Sequence, residues 1–458
     1  MCTMTAMAAA ASSTDSTDRP GALDITRRLT EICGPPFARL AGPADEVAGR
    51  PARWVAVPGG PHAAAEVLRL AARHDLSVVP RGAGTKIDWG AAPDRVDIML
   101  DTGRLAGIGH RAVGGATVEV GAGTPLRAVQ ATLERTGRRL ALDAPSPGAT
   151  LGGVLAAGEA GPLRHRHGTP CDQLVGLRYL AAGGDLVNAG GGAEGLELAR
   201  LLCGSQGALG VLVTAALRVQ AVPASRVWVT RPVWTPLEVH DLVRTVLAAR
   251  LDPAAVELDL PAGAGPRPQR DGRAESMSRH PSMTGRATTG PAHAGSLVVL
   301  LEGGPADVAE RAGKLRSLFG SGTTTGHSAP VWWRRYPFAP GDTALRIEVP
   351  IGDLHAAVYA LRDAAGGPVP LRGSAGLGVV HAALPGSTAP DRVASILAAV
   401  RGVLLARQGR CVVVSAAEPV RRAVDLWGEL SGLARLRAVK EHLDPHRRLA
   451  PGRLPGGL

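Results

Sequence analysis

From residue 53 onward, short aliphatic runs alternate with helical spacings. Trp54-Val55-Ala56-Val57 reads as a strand, and after Gly59-Gly60-Pro61 the residues Ala64, Val67, Leu68 and Ala71 fall on one helical face. Leu76-Ser77-Val78-Val79 returns to strand, and two more strands are expected at 96–100 and 117–120. Thr124 as N-cap and Pro125 at the first position open a helix whose spacing runs through Leu126, Val129, Leu133 and Leu140. A hairpin over 172–187 turns about Gly183-Gly184-Asp185. Beyond Pro223, strands at 227–233, 255–260, 297–301 and 344–349 alternate with helices at 236–250, 306–319, 354–365 and 390–408. Such β-α-β-β-α-β order predicts a ferredoxin-like α/β cap. A strand at 412–415 and a helix over 420–439 close the pattern, and the fold class is α+β.

The pattern lapses twice. Residues 1–22, rich in Ser, Thr, Asp and Ala, read as a disordered tail, and 261–294, with hardly an aliphatic residue, as a disordered insertion. The expected division is a first domain over 45–222, a cap over 223–418 and a C-terminal helix and tail over 419–458 that pack back on the first domain.

Composition narrows the function. Hydrophobic residues make up 45% of the 458, enough for two or three cores, while aromatics are 3%, so those cores are built from Ala, Val and Leu. The formal charge is +11. No Lys/Arg run of five occurs and no basic stretch is interleaved with aromatics, which argues against nucleic acid and for a solvated basic surface that could dock an acidic partner. Five scattered cysteines without a C-x-x-C pair exclude a disulfide framework, a zinc site or an iron–sulfur cluster held by this chain alone. No basic segment precedes the run 7–11, so it does not read as a signal peptide, and no stretch approaches the ~20 apolar residues of a spanning helix. The chain reads as cytoplasmic, with any membrane contact peripheral to the inner face.

The stretch around which these elements are arranged is Pro80-Arg81-Gly82-Ala83-Gly84-Thr85, directly after a strand. Two glycines two apart let successive N–H groups converge on an anion, as a phosphate requires. A second small-residue stretch contains Pro145, Thr150-Leu151-Gly152-Gly153, Ala157 and Gly161, so its backbone can lie close to a flat ring system. A third contains Gly204, Gly207 and Leu209-Gly210-Val211. Gly190, Gly192 and Gly195 also fit G-x-G-x-x-G, but they follow a hairpin rather than opening a strand–helix–strand unit, so they do not mark a dinucleotide site.

These three segments, in this order, resemble the FAD-binding (PCMH-type) domain of the vanillyl-alcohol oxidase superfamily. The string Pro-Arg-Gly-x-Gly-Thr-Lys-x-Asp-Trp-Gly, the Gly161-Pro162 pair and the ending Leu443-Asp-Pro through Pro451-Gly452-Arg453 are similar to the FAD-binding subunit of bacterial glycolate oxidase. The resemblance implies a two-subdomain FAD-binding domain under the cap, with the three segments lining noncovalent FAD. It also implies oxidation of a small 2-hydroxy acid and electron transfer onward to a partner. That partner would be an iron–sulfur subunit, together with a second flavoprotein subunit. At 190–197 the chain departs from the family, whose longer segment carries Asn-Val-Ala-Gly-Tyr-Asp. His167 and Cys171 stand where tyrosine and arginine are usual. These departures leave two other readings, a cofactor-free assembly subunit and a stand-alone sugar or lactone oxidase.

The catalytic candidates are two. Arg346, on an alternating strand, offers an arginine fork for a carboxylate and matches a similar cap arginine in the family. His381, among Val379-Val380 and Ala382-Ala383, is a candidate base, set against the commoner packed core histidine. His165 and His167 alternate with Arg164 and Arg166, whose charge opposes a metal cation. Cys171 and Cys203 lie beside flavin-loop motifs without a neighbour in sequence that would depress a thiol pKa. No metal site is expected.

Overall fold

The computed structural model describes residues 22–109, 115–190, 192–263 and 295–458. The expected N-terminal tail and almost all of the 261–294 insertion lie outside the described residues.

The first half holds two four-stranded sheets. In one, Trp54–Ala56, Ile98–Asp101 and Val78–Arg81 run parallel, and Ala38–Leu40 joins antiparallel at the edge. Trp54, Val55, Ile98, Met99 and Leu100 are fully buried, the condition that lets parallel strands read as continuous apolar runs. The helix Pro61–Arg73 lays Ala64, Val67, Leu68 and Ala71 on this sheet, as its spacing predicts. A helix the sequence reading did not anticipate, Ala22–Cys33, closes the same core with Ile25 and Leu29, and Thr26 Oγ1 accepts from Trp54 Nε1 at 3.0 Å. The other sheet is antiparallel, in the order Leu186–Gly190, Leu174–Leu180, Val211–Arg218, Thr117–Gly121, and contains the expected hairpin.

Two helix expectations need correction. Thr124 is not a helix cap: its hydroxyl donates to Gly107 O at 3.1 Å and accepts from Gly107 N at 3.0 Å. The helix Leu126–Glu134 begins after Pro125 and ends well short of Leu140. The expected helix over 420–439 is two helices, Glu418–Ala423 and Leu433–Leu443. Between them the Asp425 carboxylate accepts from Trp427 N and Gly428 N, and Gly428 adopts a φ of 71° that helical backbone does not allow.

The second half is one eight-stranded antiparallel sheet. Its strand order is 324–326, 225–233, 295–303, 255–260, 371–374, 379–384, 343–348, 410–415. Taken by chain order, the first four strands lie as 4-1-3-2 and the last four as 2-3-1-4. These are two ferredoxin-like units placed back to back, joined where Ala255–Leu260 pairs with Leu371–Ser374. Their helices, Pro236–Ala248, Pro305–Phe319, Leu354–Ala365 and Pro390–Leu405, all cover one face.

Strand alternation then decides what the other face carries. Val227, Val229, Leu258, Leu297, Val299, Leu345, Ile347, Val380 and Ala382 pack under the helices. Their neighbours Arg226, Glu257, Glu302, Arg346, Glu348, Arg372 and His381 therefore point to the opposite face, which meets the first half of the chain. Arg139, beside the antiparallel sheet, clamps Glu302 on that face with two bonds of 2.7 and 2.6 Å.

Candidate functional site

The strand Val78–Arg81 ends in the loop the sequence singles out. Gly82, Ala83 and Thr85 make no hydrogen bond among the described residues, so their N–H groups are free for a ligand. Gly84 has a φ of 73°. Gly82 faces Thr150, the N-cap of the helix Leu151–Ala157, whose hydroxyl accepts from Gly153 N at 3.2 Å. A Cβ on Gly82 would stand 2.3 Å from Thr150 Oγ1, and one on Gly152 would stand 2.7 Å from Ala122 Cβ. The third segment arrives beside them at Gln206, Gly207 and Gly210. Together the three segments line one cleft, of the concave kind that small-molecule and cofactor sites take.

Of the residues singled out in the sequence, Pro80 through Thr85, Thr150, Gly152, Gly153, Ala157, Gly207 and Gly210 line this cleft. Pro145, Leu151, Gly161, Gly204, Leu209 and Val211 do not. Leu151, Leu209 and Val211 are core residues behind the lining, and Gly161 packs so tightly on Asp143 that a Cβ there would meet its carbonyl at 2.1 Å. The sequence reading missed Lys86, Trp89, Gln206 and Arg453 as lining residues. Lys86 and Trp89 stand inside the quoted loop motif and Arg453 ends the quoted C-terminal string, so both motifs contained the signal. Arg453 donates to Ile87 O at 3.0 Å and Trp89 O at 2.8 Å, and its burial pushes its pKa down to about 10. Gln206 Oε1 is buried without a partner in this cleft. Free backbone donors, close-packed glycines and an unfilled amide acceptor suit a large group with phosphate and ring edges. Gly190, Gly192 and Gly195 lie outside the lining.

At the border between cleft and large sheet, Lys86 Nζ meets Glu159 Oε1 at 2.5 Å and donates to Ser146 Oγ at 2.5 Å. The same carboxylate oxygen accepts from Tyr336 OH at 2.9 Å. Trp89 lies 4.7 Å below the ammonium, a cation–π contact. Burial lowers the Lys86 pKa and Glu159 opposes the shift, while burial and then Glu159 push the Tyr336 hydroxyl up. Tyr336 carries the contact to His381, with ring centres 4.9 Å apart.

His381 and Arg346 are directly opposed on paired strands, so both side chains project from one spot of the sheet's polar face. Arg346 is ion-paired with Glu348, two residues along its own strand. Burial, then Arg346, Arg164 and Lys86, depress the His381 pKa to about 3. The imidazole is therefore neutral at any pH where carboxylates are ionised. Cys171 and Cys203 are both held as thiols, their pKa values raised first by burial, and so are poor nucleophiles.

Two acids complete the surroundings. Burial raises Asp143 to about 7 and Glu257 to about 8, and the Asp143 charge adds to the Glu257 shift. From pH 4.5 to 8 the unfolded chain ionises Glu257 while the folded chain keeps it neutral, so stability falls as pH rises through this window. Glu257→Gln is expected to remove that slope. Its stability relative to wild type should grow by on the order of 5 kcal/mol across the window, measured by urea unfolding at a series of pH values.

Among the described residues no group of three or more His, Cys, Asp or Glu could hold a metal ion, and no helix is long and apolar enough to cross a membrane.

Residues 52–190 match a model of the FAD binding domain. Glycolate oxidase subunit GlcE of Escherichia coli is 36% identical over 117 residues, 24% of this chain and 33% of that protein. The mitochondrial D-lactate dehydrogenase [cytochrome] of Arabidopsis thaliana is 27% identical over 208 residues, 44% of this chain and 36% of that one. The matched stretches thus span about a third of these relatives. A solved structure of alkyldihydroxyacetonephosphate synthase superposes with a TM-score of 0.67 at 14% identity, covering 94% of this chain and 84% of that one. The fold is shared along nearly the whole chain.

Proposed function

We propose that this chain, which carries a PCMH-type FAD-binding domain over residues 52–190, is an FAD-dependent oxidoreductase subunit that converts a small 2-hydroxy acid to the 2-oxo acid. The observation that supports this reading is the junction of two surfaces. A glycine-lined cleft with free amide donors meets the charged face of the large sheet at Lys86, Tyr336, His381 and Arg346.

In this reading, Gly82, Ala83 and Thr85 give their N–H groups to the pyrophosphate, and Thr150, Gly152 and Gly153 let the rest of the cofactor lie flat. FAD, when bound, supplies the chemistry of accepting two electrons and a hydrogen from the substrate carbon. The substrate lies against Arg346 and His381. The neutral His381 accepts the hydrogen bond of the substrate hydroxyl, fixes its direction and takes the hydroxyl proton toward solvent as the carbonyl forms. Lys86 and Glu159 hold Tyr336 closed over the site and exclude water. The electrons pass onward to a partner, which in this reading is an iron–sulfur subunit acting with a second flavoprotein subunit, as the likeness to glycolate oxidase subunits suggests.

The test is the visible spectrum of the purified chain, then anaerobic bleaching by glycolate, D-lactate and D-2-hydroxyglutarate. A yellow protein releasing one FAD and bleached by one of these acids supports the proposal. A folded, colourless protein that takes up no FAD, even with partners present, overturns it. Arg346→Ala is expected to lower kcat/KM about 10- to 100-fold, the worth of a charge-assisted hydrogen bond, with flavin content unchanged.

A further inference from the structure

Four titratable residues form one row across the polar face of the large sheet. Asp259, Arg372, His381 and Arg346 stand directly opposite one another on adjacent strands, so their side chains rise side by side. His381 thus has an arginine on each flank, and the two arginines differ in what they hold. Arg346 pairs with Glu348 on its own strand. Arg372 places Nε and Nη2 on Asp259 Oδ1, both at 2.7 Å, and its Nη1 donates to Arg335 O and Tyr336 O, each at 3.2 Å. Its guanidinium also faces the Trp332 ring, 5.5 Å from the ring centre. With all three nitrogens committed to protein oxygens, this fork holds a stretch of backbone rather than a substrate.

That stretch, 330–338, lies between the strands Thr324–Gly326 and Thr343–Glu348 and forms no helix or strand of its own. Its backbone closes two turns, Trp333 N to Pro330 O at 2.9 Å and Arg335 N to Trp332 O at 3.1 Å. Side chains place the rest. Trp333 packs on Trp228, with ring centres 6.3 Å apart, and on Ala255, Val298 and Leu300 of the sheet. At the other end the Tyr336 ring stands 4.9 Å from His381 and 5.3 Å from Trp89, and its hydroxyl donates to Glu159 of the first half at 2.9 Å. Between these two ends the carbonyls of Arg335 and Tyr336 are tied to the sheet by Arg372. We infer that Arg372, anchored by Asp259, is a positioning residue: it latches the strap 330–338 so that Tyr336 stays closed over His381 beside the cleft. Arg372 reaches a substrate only through Tyr336, so its loss is felt in how well the site closes and not in the chemistry. This rests on the reading of the junction as the substrate site and deepens it.

The test uses the full chain with Arg372→Gln, which gives up the fork, and Arg372→Lys, which keeps a cation beside Asp259 but has a single ammonium that cannot span the carboxylate and both carbonyls. Hydrogen exchange of the peptide covering 330–338 needs neither flavin nor substrate. It should quicken about 10- to 100-fold in Arg372→Gln, the worth of hydrogen bonds from a charged donor, and less in Arg372→Lys, while peptides covering 371–384 keep wild-type protection. In the FAD-loaded protein, KM for whichever of glycolate, D-lactate and D-2-hydroxyglutarate bleaches the flavin should rise about 10-fold with kcat within about 3-fold, because binding must then close the strap itself. If strap exchange stays at the wild-type rate in Arg372→Gln, or in Arg372→Lys should the first variant not fold, the latch is overturned. A fall in kcat with KM unchanged also overturns it, since Arg372 would then act on the reaction itself. If strap exchange quickens but none of the three acids bleaches the flavin, the latch stands and the proposed substrate class falls.

Discussion

Lys440→Met is expected to destabilise the protein by ~3–5 kcal/mol, more than any other single substitution outside the core, and to weaken flavin retention with it. Lys440 Nζ is completely buried. It donates to Asp444 Oδ2 at 2.6 Å, Ala208 O at 2.7 Å and Leu449 O at 2.7 Å. The last two carbonyls belong to different walls: Ala208 to the third cofactor-side segment, and Leu449 to the C-terminal stretch that runs beside Val78. There Val78 N donates to Arg448 O at 2.7 Å and Ala450 N to Val78 O at 2.9 Å, adding a strand-like edge directly before the phosphate-loop motif. Removing the ammonium leaves the Asp444 carboxylate buried and both carbonyls without a donor. Burial lowers the Lys440 pKa despite Asp444, so desolvation outweighs the pairing. The double variant Lys440→Met/Asp444→Asn should therefore lose less than the single one, because it no longer strands a charge. Urea unfolding of both variants, with FAD content measured on the same samples, checks the ordering; equal losses would show that the carbonyl contacts, rather than the ion pair, carry the effect.

That lock shows where sequence reading stops. Alternation on 344–349 separates Leu345 and Ile347 from Arg346 and Glu348, so the two faces of the strand were legible. Which strands neighbour each other was not, since the pairing of Ala255–Leu260 with Leu371–Ser374 joins segments over a hundred residues apart with no local mark. Lys440 sits at an ordinary helical position, and its partners come from 232 residues back and 9 ahead. The helix over 420–439 failed for the opposite reason: its apolar spacing was adequate, but the Asp425 carboxylate offered Trp427 and Gly428 a better local bond than the helix did.

Gly82→Val is expected to abolish FAD binding, with an affinity loss of at least ~100-fold, while the far-UV spectrum stays native. Glycine was legible there as a requirement, but its cause was not. A Cβ at this position falls 2.3 Å from Thr150 Oγ1, so Thr150 must rotate and give up its bond to Gly153 N. Losing an N-cap costs ~1 kcal/mol, which the fold survives. The larger effect is in the cleft, where the branched side chain occupies the space in front of the free Gly82, Ala83 and Thr85 amides that a pyrophosphate would use. Gly82→Val/Thr150→Ala removes the clash and leaves the intrusion. If that double variant regains flavin, the glycine serves only to accommodate Thr150, and the loop is not the phosphate site. If it stays colourless with wild-type stability, the backbone donors themselves hold the cofactor.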